Sequence, residues 1–300
     1  MVRYQRRFDA HLDKVVAGEI GERAGLRIAN VERDCHPSGS YGMTGSEMNQ
    51  RHEEIASAMP MELDSLPRLR GFRLRGIQMT RLETFIDAAF AFAISMLVIA
   101  AQQIPDNVQA LLAAFRNVPT FVCSIGVLSI FWRGHWLWSR RYGLEDGVSI
   151  LISWTMIVTI LIFIYPLKAI FGAMWYYLSA GQVGQRLSLH TTESQARTIF
   201  AIYALGTIAI SAEILLLYLR AWQLREPLRL NARERLATCG ELSGWSIPVC
   251  VGIVSLVLAL TVPTEKIEWS GWVYFSMFVL FPLHDAYYRR RMARRLKVKT

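Results

Sequence analysis

The sequence predicts an all-α membrane protein with six transmembrane helices. Of 300 residues, 53% are hydrophobic and only 19% charged, which is more apolar than an ordinary soluble domain. The apolar residues gather into long runs, and about 20 such residues cross about 30 Å of hydrocarbon. The cations, in turn, cluster beside alternate ends of those runs.

The six expected spans are 82–101, 118–137, 148–167, 198–218, 245–262 and 269–287. The third is the least sharply bounded, because apolar character continues past Pro166 and Lys168. Trp175, Tyr176 and Tyr177 then read as an interfacial aromatic belt. Arg140 and Arg141 follow the second run, Arg220, Arg225, Arg229, Arg233 and Arg235 the fourth, and Arg289 to Arg291, Arg294, Arg295, Lys297 and Lys299 the sixth. The opposite loops hold fewer cations, so the positive-inside rule puts both termini in the cytoplasm. This placement accounts for the net charge of +9 without a nucleic-acid partner, and lipid is the expected surroundings.

Residues 1–76 differ in kind. Mixed charge and the Gly- and Pro-containing stretch His36–Gly42 read as a polar cytoplasmic extension, expected to be disordered, with residues 77–288 as the six-span domain and 289–300 as a basic tail. Residues 4–16 could form a short amphipathic helix, although a mobile tail is the favoured reading. No apolar stretch follows Arg3, Arg6 and Arg7, so no cleavable signal peptide is expected. Cys35, Cys123, Cys239 and Cys250 lack the spacing of a zinc site or disulfide framework, and no metal or cofactor is expected. Phosphate-loop, zinc-protease and Gly-x-Ser-x-Gly motifs are absent as well, which disfavours an enzyme.

The first span is the informative one. It opens with Arg81, Glu83 and Asp87, and an ionisable residue within a span is a functional-site hypothesis by default. Phe92, Ser95, Met96 and Ile99 recur at i, i+3, i+4 and i+7 and so share one stripe. On pattern alone, ordinary helix packing is favoured for that stripe. In the second span Trp132 and His135 are i, i+3 neighbours, and their N–H groups could meet an Asp87 acceptor.

The opening Arg81, Phe85, Asp87, followed by Ser124, Phe131, Trp132 and His135, resembles the signature of the transmembrane protein 175 family of potassium channels. The resemblance covers about residue 79 to the end of the second span, and Met79 stands where family members usually begin. It implies a homotetrameric channel whose first helices line the pore, in a bacterial cytoplasmic membrane. Potassium is the implied permeant ion, with other monovalent cations or protons as alternatives. Phe92, Ser95, Met96 and Ile99 then become pore-lining or constriction residues. Arg81, Phe85, Asp87, Trp132 and His135 become a polar network beneath the pore.

Three departures stand out. Ile86 replaces the signature Ser and weakens the network by one hydroxyl, while Phe92 and Met96 stand where smaller aliphatic residues are usual. No carbonyl filter of the Thr-Val-Gly-Tyr-Gly kind is present, so a hydrophobic neck that dewets is the available gate. The rival readings are a transporter or proton pathway relaying through Asp87, His135 and Glu213, and a non-conducting scaffold. For Glu213 alone, the bland alternative is pairing toward Arg220 on its own helix.

Overall fold

The computed structural model describes residues 65–99, 107–184 and 193–297. The 4–16 segment, the Cys35-His36 dipeptide and Lys299 lie outside these residues. The described part is helical apart from one two-stranded antiparallel hairpin, β1 (Arg68–Leu69) and β2 (Phe72–Arg73). The helices are α1 (Arg81–Ile99), α2 (Val108–Phe115), α3 (Val118–Tyr142), α4 (Gly147–Leu178), α5 (Glu193–Gln223) and α6 (Ala232–Thr261). After a 3₁₀ turn at Thr264–Lys266 come α7 (Trp269–Trp272), a second 3₁₀ turn at Val273–Ser276, and α8 (Met277–Lys297).

Among the described residues, four stretches are long and apolar enough to cross a membrane: Val108–Tyr142, α4, α5 and α6. The chain is therefore an integral membrane protein. The third expected span continues well beyond residue 167. α4 passes through Pro166 and runs for 32 residues, about 48 Å at 1.5 Å per residue, so Trp175, Tyr176 and Tyr177 lie in its last turn. The last expected span, 269–287, is not one helix. It tightens into the 3₁₀ turn at Val273–Ser276, where Tyr274 packs edge-on against Tyr203 of α5 at 5.1 Å.

Close helix approach needs small residues. A methyl group on Gly134 of α3 would sit 2.3 Å from the Trp245 ring of α6, and one on Gly206 of α5 would sit 2.4 Å from Phe163 of α4. Trp138, fully buried, donates its indole N–H to the carbonyl of Leu217 at 2.8 Å, joining α3 to α5. At the far end of α5, the Arg197 guanidinium donates to the carbonyls of Ala259, Leu260 and Val262. It thereby satisfies carbonyls that the end of α6 leaves without helical partners.

Most ion pairs gather at the other end of the bundle, where α3 and α5 finish and α1, α4 and α6 begin. Arg140 pairs with Glu83 at 3.2 Å, Arg141 with Glu241 at 2.7 Å and Arg220 with Asp146 at 2.9 Å. Burial alone would raise the Asp146 carboxyl, but hydrogen bonds from Ser149 and Arg220 and the Arg220 charge outweigh it and hold it below its ordinary value. A lowered carboxylate stabilises the fold at pH above its unfolded value. That stabilisation is lost as pH falls through the folded value.

The hairpin precedes residue 77, the expected edge of the membrane domain, yet it is fastened to the start of α6. Glu234 closes a capping box with Asn231 and accepts from Arg73 N–H, Nε and Nη2, each at 2.9 Å, and from Arg75 Nη2 at 3.0 Å. Its side chain is wholly buried. Phe72 anchors the same strand, edge-on to Tyr142 at 5.5 Å with the Arg141 guanidinium 5.1 Å from its ring centre. Sequence reading missed this clasp, although Asn231-x-x-Glu234 is a legible capping signal.

Candidate functional site

α1 has two faces. Ile86, Phe90, Ala93 and Leu97 are buried at i, i+4, i+7 and i+11, the spacing of a core-facing stripe. They join the main apolar core with Leu128 and Phe131 of α3 and Ile160 and Ile164 of α4. On the opposite side Thr84, Phe85, Ala88, Ala91, Phe92, Ser95 and Val98 are exposed, Phe92 at 55%. A helix flanked by α3 and α4 thus leaves an apolar row uncovered within one protomer.

Of the expected pore stripe, Phe92 and Ser95 lie in that exposed row. Met96, one residue on from Ser95 and so about 100° round the helix, is half-buried and packs against the core. The Ile99 side chain is outside the described residues. Ser95 donates its hydroxyl proton to the Ala91 carbonyl of its own helix at 3.0 Å. Its oxygen lone pairs are therefore what the exposed face presents. Ile86, where a hydroxyl was expected to be missed, is completely buried and serves as packing.

The expected polar network assembles in part. Trp132 of α3 donates its indole N–H to Asp87 Oδ1 of α1 at 2.7 Å, a short charge-assisted bond. His135 does not join them. It is 2% exposed, on the buried stripe of α3 with Phe131 and Trp138, and its Nε2 lies 3.1 Å from Ser153 Oγ of α4. The boundary between the inner and outer faces of α3 runs between Trp132 and His135, despite their i, i+3 spacing. Arg81 is exposed and forms no ion pair among the described residues. Phe85 packs at 5.0 Å on Trp154 of α4.

The carboxylate that anchors the entry of α1 is Glu83, to which the sequence reading assigned no partner. It is buried and faces Arg140 Nε at 3.2 Å. Arg140 Nη1 also donates to the carbonyls of Gly76 and Ile77, at 3.1 and 2.9 Å, just before α1 begins. One guanidinium thus ties the approach strand and the first turn of α1 to the end of α3. Asp87→Ala is expected to leave the Trp132 indole without its acceptor, at a cost of about 1–3 kcal/mol. Native-size chromatography and a melting curve in detergent would register it, and an unchanged melt would mean the bond contributes nothing.

Glu213 of α5 is half-buried and meets Thr159 of α4 at 2.7 Å. Arg220, the alternative partner weighed for it, is taken by Asp146. Asp87, His135 and Glu213 therefore sit in three separate pairings, and no chain of hydrogen bonds joins them among the described residues.

A family model described as endosomal/lysosomal potassium channel TMEM175 matches residues 81–166, the part that holds α1, α3 and most of α4. A protein of Marivirga tractuosa named "Potassium channel" is 32% identical over 211 residues, covering 68% of this chain and 85% of its own. The chain belongs to the TMEM175 family. The crystal structure of a single-residue variant of the potassium channel MtTMEM175, in complex with a nanobody fusion, superposes with a TM-score of 0.63 at 27% identity. It covers 78% of this chain, and all of that chain is matched. The family and these relatives are channels, not enzymes. The match begins at Arg81, the first residue of α1, so the TMEM175 region starts where the two-faced helix starts.

Proposed function

We propose that this protein is a potassium-permeable channel, assembled from four copies, in which the exposed face of α1 from each copy lines the ion path. The observation that carries the reading is that face: an apolar row from Phe85 through Phe92 to Val98, interrupted by the Ser95 hydroxyl, on a helix whose other side is fully packed. One helix cannot enclose a pore. Copies related by closed cyclic symmetry can. Membership of the TMEM175 family and the potassium-channel relatives support potassium as the ion that passes.

On this reading Phe92 forms the narrow, water-repelling neck, with Met96 packed beside it and Ser95 and Ile99 lining the path. Asp87–Trp132 and Glu83–Arg140 hold α1 against α3 and so set where the four faces meet. α1 and the α7–α8 segment add two crossings to the four long apolar stretches, giving six spans. The protein would occupy a bacterial cytoplasmic membrane with both termini inside. The relay reading is the weaker one, because its three titratable groups are bonded to three different partners.

The test is reconstitution into liposomes under a potassium gradient. Passive, electrogenic potassium flux supports the channel. Flux that obligatorily requires a second ion would replace it with a transporter, and silence with a scaffold. Orientation has its own prediction. Cysteines placed at Arg225 and Arg295, after the native thiols are replaced, should resist impermeant external reagents in intact cells, since both lie in the cation-rich segments. Labelling at either position from outside would reverse the topology.

A further inference from the structure

Glu213 has an arrangement that a bare carboxylate cannot satisfy. It lies in α5, seven residues before Arg220 and so about 10 Å deeper along the helix axis, on a side where Leu216 of α5 and Val158 and Ile162 of α4 are exposed apolar neighbours. Its Oε1 is 2.7 Å from Thr159 Oγ1. Its Oε2 is buried with no hydrogen-bond partner among the described residues. A carboxylate held in hydrocarbon calls for a cation or several donors. Neither is supplied.

The hydroxyls of α4 do not supply what is missing. A threonine hydroxyl has one proton to give. Thr159 Oγ1 is 2.7 Å from Glu213 Oε1 and 3.0 Å from the Thr155 carbonyl one turn back, so its proton is shared between two acceptors. The Thr155 hydroxyl, the other side-chain partner of Glu213, is 2.8 Å from the Ile152 carbonyl. One shared donor at Oε1 and none at Oε2 leave a carboxylate charge uncompensated. A proton on the carboxyl group removes that charge.

We infer that Glu213 is an intramembrane proton-binding site: as a protonated carboxylic acid it stays hydrogen-bonded to Thr159 Oγ1 and links α5 to α4. Among the described residues no ion pair joins it to a charged side chain of α3, α4 or α6, and its hydrogen-bonding neighbours on α4 are Thr159 and Thr155. His135 of α3 is engaged with Ser153, and Arg220 on its own helix with Asp146. Removing the proton would leave a carboxylate in an apolar seam with one shared hydroxyl donor and an unbonded Oε2, and would loosen the α4–α5 contact. The site would thus make helix packing, rather than the face of α1, sensitive to pH. It stands whether or not the protein conducts potassium.

Infrared spectroscopy of the full chain in nanodiscs at neutral pH tests it. The difference between the wild-type protein and Glu213→Gln should contain the carbonyl stretch of a protonated carboxylic acid, lost in the variant. Thr159→Val should keep that band but shift it to higher wavenumber, as the hydrogen bond goes. Exchange of potassium for sodium should leave it in place. A difference spectrum with carboxylate bands alone would overturn the inference, as would a carboxylate signal that moves with potassium, which would make the site a metal-cation site. If Glu213→Gln does not fold, the Thr159→Val spectrum decides alone. A band that does not shift then refutes the link.

Discussion

Phe92→Ala is expected to raise ion flux and to reduce discrimination between potassium and sodium. On the proposed reading, four phenyl rings at the neck would force an ion to shed water, and four methyl groups would widen it and let the hydration shell pass. A drop of about 1.4 kcal/mol in the difference between the two barriers would lower the permeability ratio about tenfold, and that is the size of effect expected. The competing outcome is a packing defect, since truncating a core phenylalanine costs about 3–5 kcal/mol. Phe92 is more than half exposed in the protomer, so its removal opens no cavity inside the bundle. Reversal potentials under mixed potassium and sodium gradients, paired with a melting curve, separate the two. A destabilised variant with an unaltered permeability ratio would take Phe92 out of the pore.

The second large effect belongs to Glu234. Its buried carboxylate is held by Arg73 and Arg75, and Glu234→Ala would leave two guanidinium groups and the Asn231 N–H at the start of α6 without their acceptor. Removing one partner of a buried ion pair costs about 3–5 kcal/mol. The expected result is a markedly lower melting temperature and release of the 65–76 segment to proteolysis. Glu234→Gln, which keeps some acceptor capacity, should fall between the alanine variant and the wild type. Wild-type melting and protease resistance in Glu234→Ala would show that the hairpin is not a structural clasp.

The periodic features were legible. The shared stripe of Phe92 and Ser95 follows from 3.6 residues per turn, and the Asp87–Trp132 bond from an acceptor and a donor placed near the same end of two adjacent helices; the buried stripe Ile86, Phe90, Ala93, Leu97 was not read from the sequence. What was hidden is what periodicity does not encode. Trp132 and His135 share a helix side by spacing, but the line between buried and exposed passes between them, and only the position of α4 decides where that line falls. Met96 turned toward the core for the same reason. Glu83 read as a helix-opening acid, and its partner Arg140 as a topogenic cation; their pairing is a long-range contact across 57 residues (140 minus 83). The bland alternative for Glu213, pairing toward Arg220 on its own helix, is not what forms, because Arg220 meets Asp146 at the start of another helix. Pro166 did not end α4, since a proline within a long apolar helix can be carried where neighbouring helices shield the freed carbonyl.

The most direct test of the central claim is a cysteine scan along α1 in the reconstituted protein, with Cys35, Cys123, Cys239 and Cys250 replaced and potassium current recorded as a small thiol reagent is applied. Cysteines at Phe92, Ser95 and Val98 should be modified and should block the current, while those at Ile86, Phe90, Ala93 and Leu97 should not. Block from the second set, or unimpeded current after proven modification of the first, would contradict a pore lined by the exposed face of α1.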